Sequence, residues 1–233
     1  MKKIILFACI LMLGFTVHSQ TNGAFEKLKE LGISEHLFLM NTWEAISDFA
    51  YETKTTINTS TEESIFSKTV EIARYNPSAP DGKEWVLVSV NDRSPDYLSQ
   101  SEFDKAKKGS KEGRSAKIDP ASWTLTEEDG YWIFGFKYMK STLPKQSIIL
   151  EDCYGKAYIS KTDNHLNKIV FQSNEPLKMG GVKIISFKKE IAYQYLDNSC
   201  VIKDENVRVI QKYMGKESVS DLARVYTNYR KNK

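Results

Sequence analysis

The chain is poor in the residues that most often do chemistry. It holds three cysteines and three histidines in 233 residues, and one of each, Cys9 and His18, lies in the first 19 positions. There is no Cys-x-x-Cys, which removes the usual thiol redox motif. There is no His-Glu-x-x-His, no Gly-x-Ser-x-Gly and no phosphate-binding loop. His36 and His165 have no partner at metal-ligand spacing, so neither a metal nor a cofactor is expected. The adjacent acids Glu127-Glu128-Asp129 and Glu151-Asp152 do not make a paired-carboxylate site, because neighbouring strand residues point to opposite faces. These absences together point to a protein that is not an enzyme. Six prolines and 12 glycines are too few for a low-complexity chain. No apolar run reaches the roughly 20 residues that span a bilayer.

What is present begins with an export signal. Residues 1–19 read as a signal peptide: Lys2 and Lys3, then an apolar run from Ile4 to Val17 broken only at Thr16, then the small residues Val17 and Ser19 before a cut at Gln20. A lipoprotein signal at Cys9 fits less well, since Phe7 is bulky for that motif and the apolar run continues past it. Lys2 and Lys3 leave with the leader, so the 33 basic residues become 31 against 30 acids. That balance argues against nucleic-acid binding, which needs a basic surface. The tail Arg224, Arg230, Lys231 and Lys233 reads as a frayed end. The remaining chain is long enough for one domain with a sizeable core. It is expected to be soluble and periplasmic, with only peripheral membrane contact. Cys153 and Cys200, an even pair in an exported chain, are candidates for a disulfide or for two buried thiols.

Residues 20–46 have helical spacing on Phe25, Leu28, Leu31, Leu37, Met40, Trp43 and Ile46, with a break near Gly32 and Asn22 and Ser34 as N-caps. The texture then changes to alternation. Tyr51 to Ile57, Ser64 to Tyr75 and a run over Trp85–Val90 buried on both faces read as strands. Pro77, Pro80 and Asp81-Gly82 mark the turn before the third. Ser94 as cap and Pro95 at the first position start a helix carried by Leu98, Phe103 and Ala106, with Lys105, Lys107, Lys108 and Lys111 on a solvated face. From Trp123 to Tyr229 nearly everything reads as strand, including Ser147–Leu150, with hairpin turns at Asp163-Asn164, Gly180-Gly181 and Asp197-Asn198. The class is α+β. So many strands in one small domain require a strongly curved or closed antiparallel sheet. Alternation puts Trp132, Phe134, Phe136 and Tyr138 on one face. Those rings, with Trp85, Trp123 and Phe187, fill a core or line an apolar cavity, and spacing alone does not separate the two.

The segment Arg74-Tyr-Asn-Pro-Ser-Ala-Pro-Asp-Gly-Lys-Glu-Trp-Val-Leu-Val-Ser-Val-Asn-Asp-Arg-Ser-Pro95 resembles a segment of the LolA-like superfamily, with Asn76 and Asp92 where Asp and Gly are the pattern. Pro176–Ile184 and the closing Tyr226-Thr-Asn-Tyr-Arg230 resemble the same family, so the likeness covers 47–233. It implies an unclosed β-barrel of about 11 strands with helices packed on the concave side. It further implies a non-enzymatic periplasmic protein of a Gram-negative bacterium that shelters lipid or lipoprotein acyl chains during outer-membrane trafficking. On that reading the cavity candidates are Trp85, Leu87, Trp132, Phe134, Phe136, Ile148, Leu150 and Ile184. Sheltering a 16-carbon chain is worth roughly 12 kcal/mol at about 0.8 kcal/mol per CH₂, more than a shallow surface groove supplies. No binding residue carries over individually from the family. The alternative is an envelope protein with a filled core that docks other proteins and holds no ligand.

Overall fold

A computed structural model describes residues 17–38, 48–61, 65–111, 116–143, 145–179 and 181–231. Eleven strands form one antiparallel sheet: β1 (Phe49–Ser60), β2 (Ile65–Tyr75), β3 (Trp85–Val90), β4 (Thr124–Glu128), β5 (Tyr131–Phe136), β6 (Cys153–Ser160), β7 (Leu166–Ser173), β8 (Leu177–Met179), β9 (Val182–Leu196), β10 (Ser199–Tyr213) and β11 (Lys216–Lys231). The order is β3-β2-β1-β11-β10-β9-β7-β6-β5-β4, with β8 also on β9. Two meanders are thus joined where β1 pairs with β11. The order ends at β3 and β4, so the sheet does not close.

The alternation read from β5 holds: Phe134, Phe136 and Tyr138 are buried in the core, and Trp132 packs at its border. The hairpin at Asp197-Asn198 has both residues at positive φ, as a two-residue turn between twisted strands requires. Asn76 Oδ1 accepts from the Ser78 amide, and Gly82 takes φ 80° in the turn before β3.

Helix α1 (Val17–Glu30) and helix α2 (Tyr97–Lys111) contact the two edge strands, α1 against β4 and α2 against β3. α1 buries Ala24 and Leu28, with Phe25 and Leu31 packed beside them. It ends at Gly32, φ 70°. No helix of the described residues is long and apolar enough to cross a membrane.

Several expectations need correction. Asn22 lies inside α1 rather than capping it. Residues 39–47, with Met40, Trp43 and Ile46, lie outside the described residues. The cap of α2 is Asp96, whose Oδ1 accepts from the Ser99 amide at 2.8 Å. Leu98, expected on its buried face, is 70% exposed. β3 is an edge strand with Val86 exposed and only Leu87 fully buried, because β2 is its only neighbour in the sheet. Lys145–Asp152 forms 3-10 turns, not a strand.

Cys153 and Cys200 are both free and buried. Register explains why. Cys153 sits opposite Ser173, whose Oγ accepts from the Phe187 amide, whereas Cys200 sits opposite Tyr195. Residues 187 and 195 are eight apart along β9, about 26 Å at 3.3 Å per residue, and a disulfide needs Cα atoms within about 7 Å. Burial pushes the Cys153 thiol up to about 12, helped by Asp152, and the Cys200 thiol up to about 11.

Candidate functional site

One register row crosses all ten strands of the main path. It reads Val90, Glu71, Thr55, Arg224, Glu205, Ile191, Ile169, Ala157, Phe134, Leu125 from β3 to β4. Directly opposed residues share a face, so this row samples the core-bearing inner face from edge to edge. It is polar from Glu71 to Glu205 and apolar from Ile191 to Leu125.

The apolar half carries the packed cluster. Phe136 has ring contacts at 5.5–5.9 Å with Phe38, Trp123, Tyr138 and Phe171. The Tyr138 hydroxyl donates to the Phe38 carbonyl at 2.5 Å, which ties the turn after α1 into this core. Phe134, Leu150 and Ile184 belong to the same cluster. Ile148 is half-buried on the 3-10 segment. Trp132 lies at the border with the Lys27 and Lys161 ammonium groups each 4.6 Å from its ring. Trp85 and Leu87 stand at the opposite edge, on β3. None of the eight cavity candidates lines either of two clefts, of about 640 and 540 Å³, found among the described residues.

The second of those clefts lies over the polar half, whereas the first wraps around strand ends, since Glu52 and Arg74 in its lining pair on the face opposite Tyr51 and Tyr75. The first, about 640 Å³, sits at the end of β1, β2 and β11 and is walled by Tyr51, Arg74, Tyr75, Asn228 and Arg230. Tyr51 contacts the rings of Tyr75, Trp85, Tyr226 and Tyr229 at 5.1–5.7 Å. Tyr226 and Tyr229 share this face although they are three apart, because the pairing slips between Ala50 and Glu52, with Asn228 at φ 57°. The Tyr51 hydroxyl is the one buried side-chain polar atom among the described residues with no hydrogen-bond partner.

The second cleft, about 540 Å³, lies between α2 and the inner face. Ser99, Glu102, Phe103, Ala106 and Lys107 form its roof, one helical face at i, i+3, i+4, i+7 and i+8. Thr53, Thr55, Glu71, Ala73 and Arg224 form its floor, with Ile57, Thr69, Val90 and Asn91 along the rim. Arg224 Nε donates to Thr55 Oγ1 at 2.9 Å and its Nη1 to Glu205 Oε2 at 3.2 Å. Lys189 Nζ reaches Glu205 Oε1 at 2.7 Å, and the Tyr226 hydroxyl donates to Oε2 at 3.3 Å. Burial works to raise Glu205, but Lys189 and Arg224 beside it outweigh burial and hold the carboxyl at about 2. Lys107 stands with its ammonium 3.7 Å from the centre of the Trp85 ring. Burial and then Arg224 lower it to about 8, against the opposite pull of Glu205 and Glu71.

Sequence reasoning placed Lys107 on a solvated face and Arg224 in a frayed tail; the structure brings both to one cleft. The signal available for Arg224 was its place two residues before Tyr226 in an alternating strand. His165 is exposed, its ring stacked on Tyr195 at 3.7 Å.

No family model matches the chain, and no curated protein matches it. The fold is similar to that of the LolA superfamily protein NE2245 from Nitrosomonas europaea, at 10% identity and a TM-score of 0.33, over 82% of this chain and 91% of that one. It is also similar to MucB in complex with MucA(peri), at 8% identity and a TM-score of 0.19, over 86% and 99% of the two chains. Likenesses of this depth establish neither a family nor an activity for the chain.

Proposed function

We propose that the chain is a non-enzymatic binding protein of the periplasm, whose ligand is an amphiphile such as a lipid or the acyl portion of a lipoprotein. The observation that carries this reading is the split inner face with an open cleft over its charged half. A cleft of about 540 Å³ is within the roughly 300–1,000 Å³ of small-molecule sites. Lys107 and Arg224 supply cations for an anionic head group. Phe103, Ala106, Val90, Ala73 and Ile57 supply apolar wall for the hydrocarbon attached to it.

The test is lipid mass spectrometry of protein purified without detergent, alongside Ala106→Trp. Ala106 is exposed and lines the roof, so an indole there fills the cleft and leaves the core untouched. The expected result is an amphiphile retained by the wild type and lost from the variant, with unchanged circular dichroism. Retention should also weaken as pH rises through about 8, where Lys107 loses its charge. A wild type that retains nothing overturns the proposal and favours an envelope protein that docks other proteins.

A further inference from the structure

The far end of the β8-β9-β10 region carries an arrangement the cleft does not use. Lys178 on β8 is directly opposite Lys183 on β9, and Lys183 is directly opposite Lys212 on β10. The row ends at Glu217 on β11. All three lysines are exposed, and none makes an ion pair among the described residues. Like charges directly opposite each other destabilise a sheet, and in this row only Lys212 has an acid, Glu217, across from it.

Beside it is the tip of the β10-β11 hairpin, Lys212-Tyr213-Met214-Gly215-Lys216. Tyr213 and Lys216 close a two-residue turn in which Met214 has φ 48° and Gly215 φ 83°. Such turns favour Asn, Asp and Gly at these positions, and the chain uses Asp197-Asn198 for the equivalent turn between β9 and β10. At the second tip a methionine occupies the left-handed position. Its side chain is 84% exposed and that of Tyr213 is 53% exposed. An apolar side chain placed in water, on a backbone it disfavours, is unfavourable twice over in the isolated protein.

We propose that this end of the sheet docks on an anionic lipid surface, with Met214 and Tyr213 entering the interface and Lys178, Lys183, Lys212 and Lys216 over the head groups. A narrow apolar tip ringed by lysines fits a lipid interface, where a few inserted side chains and surface charge suffice. A stable protein partner needs roughly 800 Å² from each side, which a two-residue tip does not offer. The surface is independent of the cleft under α2.

The test uses the full chain and vesicles of phosphatidylcholine with and without an equal part of phosphatidylglycerol. Residues 1–19 are common to every variant and set a constant background. Asn favours the backbone of residue 214, so Met214→Asn should raise the melting temperature while weakening the phosphatidylglycerol-dependent binding about tenfold. The triple variant Lys178→Gln, Lys183→Gln, Lys212→Gln should weaken it about a hundredfold, at about fivefold per lysine. Absence of a phosphatidylglycerol-dependent component overturns the proposal, as does one that neither variant alters. A self-association that Met214→Asn abolishes while vesicle binding stays intact assigns the tip to a second copy of the chain and overturns it too.

Discussion

A buried carboxylate is stable only with cations beside it, and Glu205 has Lys189 at 2.7 Å and Arg224 at 3.2 Å. Removing one member of such a buried set leaves the others uncompensated, typically at a cost of about 3–5 kcal/mol. Glu205→Gln should therefore lower stability by an amount in that range, measured by urea unfolding at neutral pH. The same substitution has a pH signature. The folded carboxyl titrates at about 2 against an ordinary 4.5, so between those values the unfolded chain binds more protons than the folded one. Its contribution, on the order of 3 kcal/mol, is complete above about pH 4.5 and is lost as pH falls toward 2. The variant should show a flatter acid limb than the wild type across that window; parallel limbs would mean that the Lys189–Glu205–Arg224 set does not act as drawn.

Among the elements, α2 matters most for function because it forms one wall of the cleft while touching the sheet at its weakest point, the short edge strand β3. Phe103 packs edge-on to Trp85 at 6.3 Å, and Lys107 lies over the same ring. Its first turn depends on Asp96, whose carboxylate accepts from the Ser99 amide and is held below its usual range by that bond. Asp96→Ala should speed hydrogen exchange in α2 and weaken ligand retention, while exchange in β5, β6 and β7 stays as in the wild type. Equal loss of protection in those strands would show that α2 and the apolar half unfold as one unit.

At the scale of the whole molecule the two halves of the inner face divide the work. The apolar half, with α1, Phe38 and Trp123, supplies the burial; the polar half is left open under α2. No disulfide spans them, because Cys153 and Cys200 each stand at the start of strands that run in opposite directions, and so lie at opposite ends of the sheet. Protein purified under oxidising conditions should therefore carry two free thiols by mass after denaturing alkylation, and its melting temperature should not change with reductant. In the native state both thiols should react slowly, since burial holds them well above the usual thiol range.

Local chemistry determined the elements. Period-two alternation placed Trp132, Phe134, Phe136 and Tyr138 on one face, Asp197-Asn198 marked a turn, and the helical stripe Phe25–Leu28–Leu31 found its buried side. Each of these is decided by residues within a few positions of one another. Only the tertiary structure decided where the open space lies. The pairing of β1 with β11 sets Thr55 beside Arg224, 169 residues away, and no local pattern encodes which distant strand will be the neighbour. Register shifts compound this. The slip between Ile202 and Asp204 puts Ile202 and Glu205 on one face despite their odd spacing, so simple alternation would have sent one of them outward. A run of lysines and a basic tail look solvated when read along the chain. They become a site because a curled sheet brings Arg224 beneath the helix that carries Lys107, and burial there changes what each charge can do.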